Sequence, residues 1–174
     1  MRSLITRRFR SLAFATSLLL GGALMPPMPS AAAQPDVEAR NRQVVTEAFD
    51  RWAAGGTTFF SDVLSPDVTW TIMGSGPSAG VFQGRDRFVE QAVQPFVSRL
   101  SSPVKPVSKQ VWADGDHVVI KWDGTAVARD GQPYKNSYAW IFRMHDGKAV
   151  DVTAFLDLAP YDDVLRRIPA PQAQ

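Results

Sequence analysis

The spacing of apolar residues changes once along the chain, from a helical period to an alternating one. Apolar side chains recur every three or four positions in residues 44–52, 58–63 and 85–100, which predicts three helices. Beyond Pro106 they recur at every second position, which is the period of a strand. The alternation predicts strands over residues 68–73, 107–112, 118–127, 134–144 and 150–156.

Short Asp- and Gly-containing turns separate the last four predicted strands. They lie at residues 114–116, 130–131 and 146–147, and such turns are hairpin signals, so these strands form an antiparallel meander. Helices gathered early and strands gathered late indicate an α+β fold. We therefore expect a cone-shaped, curved antiparallel sheet whose concave face is covered by the N-terminal helices, with a pocket between them. A last short helix is predicted at residues 160–168.

The first 33 residues have the pattern of a cleavable export signal. Four arginines precede an apolar run at residues 12–24, prolines follow it, and three alanines end at Ala33. The apolar run is short for a membrane span, so a cleaved signal is favoured over an uncleaved tether. The mature chain is then residues 34–174, one domain with its core at about 44–168, in the periplasm or the medium.

Removal of the signal changes the charge of the protein. The full chain has 19 basic and 17 acidic residues, and the signal takes four arginines and no acid, leaving 15 against 17 and a formal charge of −2. The mature domain therefore gives no electrostatic argument for a nucleic acid or an anionic membrane as partner. Cysteine is absent, so neither a lipoprotein anchor nor a disulfide can form, and packing must supply the stability.

A set of short fragments in a fixed order resembles the SnoaL-like branch of the nuclear transport factor 2-like superfamily. The fragments are Trp52-Ala53-Ala54-Gly55, Asp67-Val68-Thr69-Trp70, Gly84-Arg85, Ala113-Asp114-Gly115-Asp116 and Phe142-Arg143 before Asp146-Gly147-Lys148. Ketosteroid isomerases, limonene epoxide hydrolase and SnoaL-type polyketide cyclases belong there. The resemblance covers residues 44–168 and implies the cone fold. It does not imply one activity, because this fold hosts many.

The active-site positions that the resemblance implies hold residues that cannot exchange a proton. The isomerase base aligns with Ile72, and the two oxyanion donors align with Trp140 and with Ala48 or Phe49. The aspartate that hydrolase- and cyclase-type relatives carry in the last strand aligns with Ala154. The chain thus keeps the frame of the fold and lacks the best-known active sites.

Polar residues in the meander are the remaining candidates for chemistry. Asp123 and Thr125 lie on the same side of one predicted strand. Asn136, Tyr138 and Trp140 lie on the same side of the next. Gap-free matching to the isomerases places both sets on the pocket side. We therefore expect Asp123 to act as a general base with Tyr138 and Asn136 as hydrogen-bond partners, since burial raises the pKa of a carboxyl group.

The same strand supports the opposite orientation of Asp123. Simple alternation directs Asp123 outward, because Val118, Ile120 and Trp122 make the other face of the strand more apolar. A bulge at the following Gly124 would decide between the two orientations.

Aromatic residues are numerous for so small a domain and predict a flat, apolar ligand. The alignment places Trp70 and Trp140 on the pocket side of their strands, so we expect both to line the pocket. We expect Phe49 and Thr125 to complete the ligand-binding wall. One hypothesis is cofactor-free isomerase, hydratase or cyclase chemistry on a small apolar molecule. The others are a non-catalytic exported binding or accessory module, and a sheet that mainly serves dimerisation.

Neither a metal nor a cofactor is expected. His117 and His145 lie beside turns, without the spacing of a metal motif. The GxGxxxG spacing at residues 74–80 follows a strand, but Pro77 removes a backbone donor and no helix opens at the third glycine, so a phosphate site is not predicted.

The outward parity of the last strands is partly apolar and predicts a homodimer. With the isomerase register, Trp122, Ala126, Ala139, Ile141 and Phe155 would point away from the pocket. Such a patch exceeds what monomers usually expose, and a twofold contact would bury it. Cover by residues 160–168 is the alternative, although that segment is short and charged.

Overall fold

The computed structural model describes residues 33–170, which belong to one compact unit. The predicted export signal lies outside the described residues except for Ala33, and so do residues 171–174. Within residues 33–170, no helix is both long and apolar enough to cross a membrane.

Helices lie at both ends of the described chain and between its first strands. They are α1 (Ala33–Ala53), α2 (Phe59–Val63), α3 (Arg85–Phe88), α4 (Gln94–Val97) and α5 (Leu158–Arg167). A π-helical turn, Val89–Val93, joins α3 to α4, so residues 85–97 form one helical run. The helix predicted at residues 85–100 is therefore confirmed, although it ends at Val97. The carboxylate of Asp157 caps α5 by accepting from the Ala159 backbone N–H at 3.0 Å.

Pro95 gives a physical reason for the π-helical turn. Proline has no N–H to donate to the carbonyl four residues earlier, and its ring crowds that carbonyl, so a regular α-helix is disturbed there. The helix widens just before Pro95, where the Gln94 N–H bonds to the Val89 carbonyl oxygen, five residues back. The Ala92 carbonyl oxygen in this turn accepts a hydrogen bond from the Tyr161 hydroxyl at 2.9 Å.

Six strands form one sheet in the order β2-β1-β6-β5-β4-β3. Their bounds are β1 Leu64–Ile72, β2 Gly80–Gln83, β3 Lys105–Asp114, β4 His117–Val127, β5 Pro133–His145 and β6 Lys148–Leu156. Every neighbouring pair is antiparallel except β1 and β6, which are parallel. The α+β fold and the antiparallel meander of β3–β6 are confirmed. Strand β2 was not among the predicted strands, because four residues are too few to show a period.

The hairpin between β5 and β6 has the turn geometry that its sequence predicts. Asp146 and Gly147 both have positive φ, 48° and 76°, as the type I′ turn between two twisted strands requires. One irregularity interrupts the β3–β4 pairing between Pro106 and Ser108. The pairing of β4 with β5 is continuous from His117 to Val127, so no bulge occurs at Gly124.

The two faces of the sheet differ in cover. We call the helix-covered side the inner face; it carries Val118, Ile120 and Trp122 of β4, all at most 2% exposed. The opposite side is the outer face, where Trp112 is 51% and Phe155 is 45% exposed. The expectation that Trp122 and Ala126 point outward is wrong: both are buried on the inner face, while Ala139, Ile141 and Phe155 lie on the outer face as expected.

Candidate functional site

A cavity of about 230 Å³ lies between the helices and the inner face, and we call it the aromatic cavity. Its aromatic lining residues come from both helices and strands: Trp52, Phe60, Trp70, Phe88, Phe96, Trp122, Tyr138, Trp140 and Tyr161. The remaining lining residues are aliphatic: Ile72, Ala92, Val93, Val97, Pro103, Val104, Ala154 and Leu156. Its walls therefore offer apolar rings and very few polar groups.

Strand pairing positions the central rings of the cavity. Trp122 of β4 lies directly opposite Tyr138 of β5, and their rings stack at 3.9 Å with 6° between the planes. Trp140 meets Trp122 edge to face at 4.9 Å. A Cβ atom at Gly124 would come within 2.6 Å of the Trp122 ring, so glycine is needed for the ring to lie along β4.

Three of the four positions that the resemblance associates with activity line this cavity. Ile72, Trp140 and Ala154, which align with family catalytic positions, are all in its wall. Trp70 and Trp140 were predicted to line the pocket, and the structure places both there. Phe49 does not line it: it is 1% exposed and packs behind the wall against Trp52 and Trp122.

Asp123 lies on the outer face, so the expectation that it shares the pocket with Tyr138 is wrong. The continuous β4–β5 register pairs Asp123 with Ser137, and residues directly opposite each other share a face. Without a bulge at Gly124, alternation turns Asp123 away from Trp122. Thr125, opposite Lys135, is on the outer face for the same reason.

Two serine hydroxyls hold Asp123 as a carboxylate. Ser108 Oγ donates to one carboxylate oxygen at 2.5 Å, and Ser137 Oγ donates to the other at 2.6 Å. These hydrogen bonds, the one from Ser108 first, lower the pKa of Asp123 below its usual value. A lowered pKa makes a carboxylate a weaker base, which is the opposite of the shift that the general-base hypothesis needs.

The predicted association of Asn136 with Tyr138 exists, but it runs through a third residue. Asn136 Nδ2 donates to the Tyr134 hydroxyl oxygen at 2.8 Å, and the Tyr134 and Tyr138 hydroxyl oxygens are 2.7 Å apart. Tyr138 lines the aromatic cavity, whereas Asn136 is not among its lining residues. Instead Asn136, like Asp123 and Thr125, lines a second, more open pocket formed by residues of β3, β4 and β5 and by Asp157. Tyr134 was not predicted from the sequence, although it lies on the same side of β5 as Asn136 and Tyr138.

Burial keeps the tyrosines of this region neutral. Desolvation raises the pKa of Tyr134 to about 12, although its hydrogen bonds with Tyr138 and Asn136 act in the opposite direction. Desolvation, reinforced by the neighbouring Tyr134, also raises the pKa of Tyr138, and desolvation raises the pKa of Tyr161. Among the described residues that line the cavity, Tyr138 and Tyr161 are the ones with ionisable side chains. The cavity therefore presents neutral hydrogen-bonding groups.

The described residues 33–170 contain no group of three or more side chains suited to hold a metal ion.

Comparison with known proteins matches the model of the SnoaL-like domain to residues 45–152. No curated protein matches the sequence. Several solved structures share the fold at low sequence identity, so their likeness concerns the fold alone.

Three of these solved structures show how similar the neighbours are in sequence and in fold. A phenazine biosynthesis-related protein from Pseudomonas aeruginosa is 18% identical, with 83% of this chain and 96% of that chain covered and a TM-score of 0.61. A putative SnoaL-like polyketide cyclase from Jannaschia sp. CCS1 is 18% identical, with 83% and 100% covered and a TM-score of 0.60. TerC, co-crystallised with polyporic acid, is 16% identical, with 73% and 98% covered and a TM-score of 0.60.

Proposed function

Because this chain belongs to the SnoaL-like domain family, we propose that it is an exported pocket protein that binds a flat, apolar small molecule in the aromatic cavity. The observation that carries the proposal is the lining of that cavity. Nine of its side chains are aromatic, and the others are aliphatic. Rings of this kind attract a flat ligand through dispersion and through the removal of apolar surface from water.

The size of the cavity sets the size of the ligand. A dry, apolar cavity of about 150 Å³ holds a benzene molecule. The volume here, about 230 Å³, is larger and therefore suits a compact ligand of more than one ring. Two of the structural neighbours are a phenazine biosynthesis-related protein and TerC co-crystallised with polyporic acid, and ligands built from aromatic rings are consistent with this class.

We propose that the protein binds its ligand in the cavity without abstracting a proton from it. Asp123, the base of the catalytic hypothesis, lies on the outer face and has a lowered pKa. The family positions Ile72, Trp140 and Ala154 line the cavity with apolar side chains. These observations favour the non-catalytic binding module over isomerase, hydratase or cyclase chemistry, and they invoke no cofactor.

A pair of variants on adjacent residues of β6 tests the binding site. Ala154 lines the cavity and is 1% exposed, while Thr153 is on the outer face, opposite Ile141. Titration with the neutral fluorescent probe N-phenyl-1-naphthylamine should show saturable binding to the wild type. We expect Ala154→Leu to fill the cavity and weaken binding at least roughly tenfold, since overpacking excludes the ligand. Thr153→Leu should bind as the wild type does; equal affinity in both variants would contradict the proposal.

Export is a separate part of the proposal and rests on residues 1–33. Their basic, apolar and small-residue segments, in that order, support a signal cleaved before Gln34. Intact-mass measurement of protein recovered from the periplasm or the medium should give the mass of residues 34–174. A mass that includes residues 12–24 would contradict cleavage.

We also propose that the outer face forms a homodimer contact. Trp112, Ala139, Ile141 and Phe155 lie on this face, where Trp112 and Phe155 are about half exposed. Burying such a patch against a second copy would remove it from water. Sedimentation velocity at micromolar concentration should show a dimer that Phe155→Lys dissociates. A monomeric wild type would refute the contact.

A further inference from the structure

The side-chain amide of Asn136 has all its hydrogen-bonding positions occupied, which fixes its orientation. Its Oδ1 accepts from two backbone N–H groups, those of Ser137 at 2.8 Å and Asp157 at 3.1 Å. Its Nδ2 donates to the Asp157 carbonyl oxygen and to the Tyr134 hydroxyl oxygen, both at 2.8 Å. A flipped amide would set its NH₂ group against two N–H donors, so the assignment follows from the backbone.

This fixed amide determines the direction of the tyrosine hydrogen bond. Since Asn136 is a donor, Tyr134 must direct its own hydroxyl hydrogen elsewhere, and the other polar partner of its oxygen is Tyr138. Tyr134 is 2% exposed, so leaving its hydrogen unpaired would cost a buried hydrogen bond. Tyr134 therefore donates to Tyr138, and the chain of donors runs from Asn136 through Tyr134 to Tyr138.

The hydroxyl hydrogen of Tyr138 is then the end of the chain. Its oxygen accepts from Tyr134, and within residues 33–170 this is the one hydrogen bond that the Tyr138 hydroxyl makes. Tyr138 lines the aromatic cavity, while Tyr134 does not. Each bond in such a chain polarises the next, which makes the terminal hydroxyl a better donor than an isolated phenol.

We propose that the Tyr138 hydroxyl determines ligand specificity by donating a hydrogen bond to a neutral acceptor, such as a carbonyl oxygen, on a flat apolar ligand. Asn136 and Tyr134 are positioning residues that orient this donor. The inference rests on the proposed binding function and adds the chemical class of the ligand.

Other polar groups of the wall agree with an acceptor-bearing ligand. The Tyr161 hydroxyl is already committed to the Ala92 carbonyl oxygen. The indole N–H groups of Trp70 and Trp122 are buried and find no acceptor among the described residues. The wall thus has more unpaired donors than unpaired acceptors, which favours a ligand that carries an acceptor.

Two probes of nearly equal shape test the donor. Fluorenone carries a carbonyl group where fluorene carries a CH₂ group, so the ratio of their dissociation constants isolates the acceptor. We expect the wild type to bind fluorenone roughly three- to tenfold more tightly than fluorene, the worth of one neutral hydrogen bond. In Tyr138→Phe the ratio should fall to about one. Ser137→Ala, which removes a hydroxyl from the adjacent residue on the outer face, should keep the wild-type ratio.

The carbonyl stretch of bound fluorenone is a readout that a merely structural role of Tyr138 would not move. It should lie at a lower wavenumber in the wild type than in Tyr138→Phe. If both probes bind the wild type equally and Tyr138→Phe changes neither ratio nor stretch, the donor role is overturned while binding stands. If neither probe binds the wild type, the proposed function itself fails, and the donor role fails with it.

Discussion

The inner and outer faces of the sheet are built from the same strands, yet they have opposite chemistry. Trp122 and Tyr138 stack against each other in the aromatic cavity, while their chain neighbours Asp123 and Ser137 share a hydrogen bond on the outer face. A step of one residue along either strand therefore moves from a buried aromatic wall to a polar surface. The comparison shows that strand parity, more than residue type, decides which residues can meet a ligand.

The largest expected difference between the faces concerns stability. Trp122→Ala removes a side chain that is 2% exposed and contacts Phe49, Trp52, Tyr138 and Trp140. We expect a loss of about 3–5 kcal/mol in the free energy of unfolding, as for other buried aromatic residues. Asp123→Ala should cost far less. Urea unfolding followed by circular dichroism gives both values, and similar losses would contradict the assignment of faces.

The next contrast compares Asn136 with its neighbour Ser137. Asn136→Ala leaves the backbone N–H groups of Ser137 and Asp157 without their acceptor in a partly buried region. We expect a loss of about 2–4 kcal/mol in the free energy of unfolding. Ser137→Ala removes an exposed hydroxyl partner of Asp123 and should cost much less. The same urea titration decides, and a near-neutral Asn136→Ala would mean that the amide is not the anchor of the tyrosine chain.

The inner face should also be sensitive to alkali. Burial raises the pKa values of Tyr134 and Tyr138 above the 10.0 of an unfolded tyrosine, so the folded state holds its protons longer than the unfolded state does. The stabilising contribution is complete below pH 10 and is lost as the pH rises through the folded values. Tyr138→Phe should lose stability less steeply above pH 10 than the wild type. Thermal unfolding at pH 7 to 11 measures this, and parallel curves would count against neutral, buried hydroxyls.

Acid should act on the outer face, with the smallest of these effects. The pKa of Asp123 is lower in the folded state than the usual 3.8, so its stabilising contribution is present above that value and disappears as the pH falls through the folded pKa. The stability difference between the wild type and Asp123→Asn should therefore be constant near neutrality and shrink below about pH 4. A difference that grows on acidification would mean that Asp123 is protonated in the native protein.

The frame of the fold was accessible from the sequence, since long periodic segments with hairpin turns predict helices and strands well. The resemblance also located part of the cavity wall, because Ile72, Trp140 and Ala154 line it. The orientation of Asp123 was not accessible, because an alignment without gaps and simple alternation gave opposite answers. Only the observed pairing of Asp123 with Ser137 decides between them.

Two other features depend on contacts that a sequence pattern does not contain. Strand β2 is short and is recognised by its pairing with β1. The donor chain from Asn136 to Tyr138 depends on Tyr134, which a period-two reading of β5 could have included with its neighbours. Its direction follows from the backbone of Asp157, 21 residues away in the chain from Asn136.

The central claim, that the ligand enters the inner face, can be tested with the five tryptophans of the chain. Trp52, Trp70, Trp122 and Trp140 line the aromatic cavity, and Trp112 on the outer face is an internal control. Fluorine NMR of protein labelled with 5-fluorotryptophan, titrated with N-phenyl-1-naphthylamine, observes all of them at once. The account predicts saturable shifts of the cavity resonances and none for Trp112; a shift of Trp112 alone would contradict it.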